Sequence, residues 1–513
     1  MIIVLNLGLK SVRSIIYNEQ GMRIANAGRR VNSRLNGELV EQDAHEWRTK
    51  LMEVLRESID VSGLGGKIKY VTVACSASCL VPVDRSLVPK CRVIMVSDKR
   101  ARDQAARISQ SENMVKLAQK YGYKASEYSQ ISRMLWLKEN DPAAYEGTWK
   151  FLAPNDYLTA VLTGGQAVTD QLNAEKNFFD TEAGSYPDAL YDEFGLDTGK
   201  LPERVDIGTN VGKLDKTLLA EAGITSDPDM IVGTYDAICS VFGTGVSAPG
   251  QVCDVSGTVT SVRMYSDKPF HDDKGRIMCQ HFPPSNGYLF GGSNNLGGGL
   301  IEWAKTCLYT GDENPYEKMQ IETEGDGSFG SNRTGLVFLP HLLGARAPSW
   351  NSDARGIFFG LERHHTRGDL MRSIFESVAF SIRDFLEIFH ESETSPEMIT
   401  ASGGLATIRI ANEIKASITG LPYHFMAEFE STSLGAAIIV MCSQGRFESY
   451  QQACEQIVAT KQIFLPRAQD KQYYDDMYGL YTELSIQADP LFQKRKVIME
   501  KHRISVGEFV ENL

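Results

Sequence analysis

The sequence predicts an α/β protein built from two similar domains, and three observations lead there. Two stretches about 250 residues apart read as copies of one hairpin: Val4 to Tyr17 (VLNLGLKSVRSIIY) and Val252 to Tyr265 (VCDVSGTVTSVRMY). Each is an apolar strand, a small glycine turn, and a second strand carrying Ser-Val-Arg. Strand-like runs then alternate with helix-period segments in both halves, which is the pattern of helix-covered sheets. The chain has 513 residues, more than one ordinary core accommodates, and Pro249-Gly250 offers a break between halves. The expected division is 1–248, 249–480 and a helical tail over 481–513.

In the first half, residues 1–30 alternate apolar and polar as an antiparallel ribbon should. Ala44 to Ile59 repeats apolar residues at helical spacing (Trp47, Leu51, Val54, Leu55, Ile59). Strands are expected over 69–74 and 93–96, and helices over 99–117 and 130–138. A short helix over 155–162 stops at Thr163-Gly164-Gly165, a C-terminal signal. Met230 to Gly233 reads as a strand with Asp236 just past its carboxyl end, followed by a helix over 237–245. The second half repeats the plan: hairpin strands to about residue 292, a helix from Gly298 to Leu308, and a polar loop over 322–335. A strand over 336–340, a long amphipathic helix over 370–390 and a strand over 398–401 follow. Lys494-Arg495-Lys496 lies in a solvated helix or tail.

Composition is that of an ordinary globular protein, 42% hydrophobic and 23% charged. A net charge of −12 argues against a nucleic-acid partner. No apolar run is long enough to span a bilayer, and the start of the chain carries no basic n-region or cleavage site, so the expected compartment is the cytoplasm. The nine cysteines are scattered, and neither they nor the nine histidines show metal-ligand spacing, so free thiols are expected.

Four constellations carry chemistry. A glycine turn between strands lets backbone N–H groups approach a phosphate, so both hairpins are candidate phosphate sites. Asp236, at a strand end where open α/β sheets place ligands, either takes the proton of an attacking hydroxyl or caps the next helix. Ser402-Gly403-Gly404 and Leu434-Gly435-Ala436-Ala437 either admit a flat base or a phosphate or serve helix packing. Ser97-Asp98-Lys99-Arg100, with Ser76 and Ser78 at the neighbouring strand end, either forms a sugar-binding wall or caps a helix through Asp98. The turn-rich segment Gly344 to Gly360 reads as an interdomain loop with a structural role.

Together these segments resemble the FGGY carbohydrate kinase family, and within it the xylulokinases. The resemblance runs to about residue 480. It rests on Val40-Glu41-Gln42-Asp43 with Trp47, Pro154-Asn155-Asp156-Tyr157 with Leu162-Thr163-Gly164, the Asp236 segment, Phe338 to Pro348, Gly356 to Leu361, Gly403-Gly404 and Leu434 to Ala437. It implies two actin-like, ribonuclease-H-like ATPase domains with a cleft between them, and ATP-dependent phosphorylation of a small sugar or polyol, foremost a ketopentose such as D-xylulose. Asp236 is then the general base, and Ser76, Ser78, Asp98 and Arg100 lie on the sugar side. Gly8, Lys10, Ser256, Gly257, Thr258, Gly298, Gly403 and Gly404 lie on the ATP side, and Asn6 and Asp236 lie at Mg²⁺. Family members are often dimers, which makes a homodimer the expected assembly.

Two departures stand out. The family's first hairpin reads Asp-x-Gly-Thr, whereas this chain has Asn6-Leu7-Gly8-Leu9, followed by Lys10 as a substitute source of charge. Xylulokinases carry Gln-Met-His where this chain has Ser76-Ala77-Ser78. Gluconate, another ketopentose or glycerol therefore stand as rival acceptors. A degenerate kinase that binds ligand with little turnover stands as a rival class, against which Asp236 counts. An actin-like or chaperone-like ATPase is disfavoured by the sugar-side segments.

Overall fold

The computed structural model describes residues 1–295, 297–325, 333–428 and 430–502. The chain divides into two units, Met1–Gly243 with Ser431–Ile457, and Thr244–Glu430 with the chain from Val458 onward. The first break lies close to the expected one. The return of 431–457 to the first unit differs from the expected division, and its cause is the packing of one apolar helix, described below.

In the first unit the hairpin strands β1 (Ile2–Leu7) and β2 (Ser11–Tyr17) continue into β3 (Arg23–Arg30). Helix α1 (Ala44–Ser62) follows, started by Asp43, whose carboxylate accepts the His45 amide at 2.9 Å. Then come β4 (Tyr70–Cys75), α2 (Gln130–Asn140), α3 (Pro154–Thr163), β5 (Asn210–Lys213), β6 (Asp229–Ile231) and α4 (Asp236–Gly243). The sheet order is β5-β6-β4-β1-β2-β3. β4 runs parallel to both β1 and β6, and the other neighbours are antiparallel. β1 is buried along almost its whole length, as expected of a strand covered on both faces, whereas the edge strand β3 alternates.

The second unit contains β7 (Gln251–Ser256), β8 (Thr260–Ser266), β9 (Met278–Phe282), β10 (Gly287–Ser293), α5 (Gly298–Cys307) and α6 (Arg367–Phe389). β11 (Met398–Ser402), α7 (Arg409–Thr419) and β12 (Tyr423–Met426) come next. After α8 (Ser431–Ser443) and α9 (Tyr450–Ile457), which belong to the first unit, the chain adds β13 (Thr460–Phe464) and α10 (Lys471–Lys501). The sheet order is β9-β10-β8-β7-β11-β12-β13. Here β11 runs parallel to both β7 and β12, and the other neighbours are antiparallel. Apart from the extra edge strand β9, the order and senses repeat those of the first sheet. The duplication suggested by the two hairpins is thus a duplication of topology.

Helix α8 explains the return of the chain. It is apolar on every side, with buried residues from Ser431 to Met441, so it needs a complete surround. It packs on β1 and β4 and crosses α4 at backbone contact. A Cβ on Gly435 would lie 1.7 Å from the Cys239 carbonyl oxygen, and one on Gly243 would lie 1.7 Å from that of Ser431, so only glycine fits either position.

Three local expectations change. The helix expected over 99–117 is two helices, Arg102–Ser109 and Glu112–Tyr121, because the Ser111 hydroxyl accepts the amides of Asn113 and Met114 and starts a new helix. The strand expected over 93–96 is limited to Val93–Ile94, since the carbonyls of Met95 and Val96 turn to the Arg133 guanidinium at 2.8 and 3.1 Å. The expected tail is continuous with α10, which buries Tyr481, Ala488 and Phe492 in the second core. Residues 326–332 of the expected polar loop and 503–513 of the tail lie outside the described residues. No helix among the described residues is long and apolar enough to cross a membrane.

Candidate active site

The carboxyl ends of β1, β4 and β6 lie side by side. Asp236 opens α4 five residues after β6 ends, and several buried groups hold the connecting segment. Asn155, near the start of α3, donates its amide to the carbonyls of Val73 at 3.3 Å and Thr234 at 3.0 Å. The Thr234 hydroxyl donates to Asp170 at 3.0 Å. Burial pushes the Asp170 carboxyl up from its ordinary value. Asn155 lies in the Pro154–Tyr157 motif and Thr234 in the Asp236 segment, neither with a role of its own in the sequence, and Asp170 lies outside every motif. The only available signal was polar residues inside otherwise apolar runs.

Ser76 follows β4, and its amide donates to the Leu7 carbonyl at 3.0 Å, which fixes it against the end of β1. Its hydroxyl donates to Asp236 Oδ2 at 3.2 Å, while the Ala237 amide donates to Oδ1 at 2.7 Å. One oxygen thus engages the amide of the next residue at the helix start, and the other faces a serine. The thiols of Cys75 and Cys239 are buried and pushed up by desolvation, with Asp236 adding to the rise, so neither is a thiolate nucleophile.

The other expected sugar-side residues take different positions. Ser78 has a left-handed backbone (φ 60°), and its carbonyl accepts from Arg133. Asp98 is 0% exposed and has four donors: the Val40 amide at 2.6 Å, the Arg100 amide at 3.0 Å, and the Arg100 guanidinium at 2.8 and 2.7 Å. Arg100 also reaches Glu41 at 2.8 Å. A carboxylate has about four acceptor sites, and these four donors tie the Asp98 loop to Val40 and, through Arg100, to Glu41. Asp98 does not cap the next helix, which begins after Ala101 without a side-chain cap.

At the first hairpin the Gly8 amide donates to the Ser11 carbonyl at 2.9 Å, and Lys10 is exposed. Asn6 sits one residue before the end of β1 and donates its amide to the Ser433 hydroxyl on α8 at 3.1 Å. Its carbonyl oxygen and the Asp236 carboxylate are the hard oxygen donors expected for Mg²⁺. Among the described residues no group of three or more His, Cys, Asp or Glu could hold a metal. This donor set suits an ion that arrives on nucleotide phosphates rather than one held in an all-protein cage.

In the second unit the structure brings the expected nucleotide residues together. The hairpin tip is presented by Gly257 and Thr258, both exposed. Their carbonyls accept three successive amides at the start of α5: Gly298 to Gly257 at 2.7 Å, and Gly297 and Gly299 to Thr258 at 3.0 and 3.1 Å. Gly403, at φ 92°, passes so close that a Cβ would lie 2.6 Å from the Ser256 carbonyl oxygen. Gly404 beside it is exposed, with open space where a side chain would stand. Glycine-rich backbone from three elements thus converges at the carboxyl ends of the central strands β7 and β11, the kind of surface a polyphosphate needs. Leu434 to Ala437, by contrast, serves helix packing in the first unit.

Residues 1–243 match the N-terminal domain of the FGGY family of carbohydrate kinases, and residues 255–443 match its C-terminal domain. The xylulose kinase of Bacillus subtilis (strain 168) is 23% identical over 487 residues, covering 94% of this chain and 96% of its own. Among solved structures, a gluconate kinase from Lactobacillus acidophilus superposes with a TM-score of 0.86 at 22% identity, covering 96% of this chain and 99% of its own. The ligand-bound xylulose kinase from the same organism gives 0.86 at 22%, covering 96% and 100%.

Proposed function

The chain belongs to the FGGY family of carbohydrate kinases, and from that premise we propose that it transfers the γ-phosphoryl group of ATP to a hydroxyl of a ketopentose such as D-xylulose, with Asp236 as general base. Family membership makes it a sugar kinase that uses ATP on a small-molecule acceptor. The ketopentose is supported by similarity to xylulose kinases along nearly the whole chain.

The observation that carries the residue roles is the Asp236 carboxylate at the strand ends, with Ser76 on one oxygen and the Ala237 amide on the other. These two donors set the carboxylate's orientation. An acceptor hydroxyl beside it can give up its proton to Asp236 as its oxygen attacks phosphorus, a contribution of about 10²- to 10⁴-fold in rate. Gly257, Thr258, Gly403 and Gly404 present backbone to the phosphates, where positioned N–H groups stabilise the charge that develops during transfer. Mg²⁺ would be held by Asp236 and Asn6 together with the phosphates, and when bound it neutralises charge on the transferring group.

One observation favours a second reading, a kinase of low turnover. Asn6 is neutral and its amide is engaged by Ser433, which leaves Asp236 as the one carboxylate of the pair. Both readings are tested by ADP release with Mg-ATP across ketoses, aldonates and polyols. The proposed function expects a ketopentose to give the highest kcat/KM. Gluconate or glycerol in first place would reassign the acceptor, and sugar-independent background from folded, nucleotide-binding protein would favour the second reading.

A further inference from the structure

We propose that the buried Asp254–Lys415 pair, together with Tyr423, positions the phosphate-facing hairpin, so that these residues govern nucleotide affinity without touching the nucleotide. The inference rests on reading the tip Gly257–Thr258 as the part that meets the phosphates.

Asp254 on β7 and Lys415 on α7 are both 0% exposed. Lys415 Nζ donates to Asp254 Oδ2 at 2.6 Å, and the Tyr423 hydroxyl of β12 donates to the same oxygen. The other carboxylate oxygen accepts from Ser256 Oγ at 2.5 Å. Lys415 Nζ also lies 3.3 Å from Ser256 Oγ, and that hydroxyl is 3.2 Å from Thr260 Oγ1. Ser256 and Thr260 face each other across the hairpin, immediately below its tip. One carboxylate therefore ties β7, α7 and β12 to the last paired residue before the tip. The same residue's carbonyl is the atom against which Gly403 packs.

A buried ion pair is a costly way to hold a sheet together. Desolvation offsets most of the attraction, and apolar side chains of similar volume often give equal or greater stability. What an apolar filling cannot do is orient a hydroxyl. Hydrogen bonds from the pair fix Ser256 in one rotamer, and through it the direction of the amides that follow, which is the preorganisation a phosphate site requires. The pair belongs to the second unit, and the acceptor-side residues belong to the first. Its removal should change the response to ATP and leave the response to sugar alone.

The test is the double variant Asp254→Asn/Lys415→Met, which removes both charges at once and leaves neither buried alone. The melting temperature checks its fold. The inference expects KM for ATP, and the Kd for Mg-ATP by calorimetry, to rise about tenfold while KM for the sugar stays put, since small misplacements of a site can cost up to about 10²-fold. Should the double variant not fold, Tyr423→Phe deletes one donor without changing volume, and the same split is expected at about threefold. Gly257→Asp is the control for the underlying reading: space around Gly257 is open, so the fold should tolerate a carboxylate there, and like-charge repulsion should abolish ATP binding. Loss of ATP binding in Gly257→Asp with unchanged ATP affinity in the folded pair variant overturns the positioning role alone. Unchanged ATP binding in Gly257→Asp overturns the hairpin assignment and the inference with it. Equal rises in both KM values would show a merely structural role.

Discussion

The proposed function gathers most of the chemistry into one side chain, Asp236. Its two oxygens are separately engaged, by Ser76 at 3.2 Å and by the Ala237 amide at 2.7 Å. An asparagine at this position can keep those contacts but cannot take a proton. Asp236→Asn should therefore lower kcat by about 10³-fold while leaving the melting temperature close to that of the parent and weakening Mg-ATP binding only several-fold through the lost charge at Mg²⁺, as steady-state kinetics and calorimetry will check. Asn6 makes the complementary case. An aspartate there can accept from the Ser433 hydroxyl that now receives the Asn6 amide, so Asn6→Asp should fold normally and add an anion beside Mg²⁺. The Mg²⁺ concentration for half-maximal rate should fall several-fold. An unchanged Mg²⁺ dependence would place the first hairpin outside the metal site.

At the scale of elements, the crossing of α4 and α8 is the least forgiving contact. Gly435→Ala puts a methyl group 1.7 Å from a backbone carbonyl oxygen with no flexible neighbour to yield. We expect a loss of about 3 kcal/mol or more in unfolding free energy, measured by denaturant titration. The same crossing shows where sequence reading succeeds and stops. The hairpins, α1, α3 and α6 were legible because their signals are local: alternation, helical spacing, a stopping glycine. The run Leu434 to Ala437 was legible as helix packing or ligand site, but the partner was not, because α8 returns to the first unit across almost 190 residues of intervening chain. The split of 99–117 was missed since Ser111 caps through a hydroxyl that periodicity does not register. In the site, Asp236, Ser76 and Asp98 stood out by their place at strand ends, but neither the Ser76–Asp236 hydrogen bond nor the engagement of Asp98 by Arg100 and Val40 was legible, because these depend on donor geometry rather than position.

At the scale of the molecule, two sheets share one topology, and the proposed function assigns an acceptor-side carboxylate to the first and a backbone cradle to the second. Stability should also depend on pH through groups outside either site. The Asp384 carboxyl, which accepts from Tyr478 at 2.9 Å, is pushed up to about 7 by burial, and burial likewise holds Glu376 up at about 7. A carboxyl raised in the folded state binds its proton there after the unfolded chain has lost it. Its contribution is therefore complete below the ordinary value near 4 and is lost as pH rises through about 7. Melting temperature should fall between about pH 4 and about pH 7, and Asp384→Asn should flatten that fall. An unaltered slope would remove Asp384 from the linkage.

The most direct test of the account is ADP release with Mg-ATP and D-xylulose in the parent protein beside Asp236→Asn, with ATP affinity measured on both. The account predicts sugar-dependent release in the parent, about 10³-fold less in the variant, and ATP affinities within several-fold of each other. Near-parental turnover in a folded Asp236→Asn protein would contradict the assignment of Asp236 as the base.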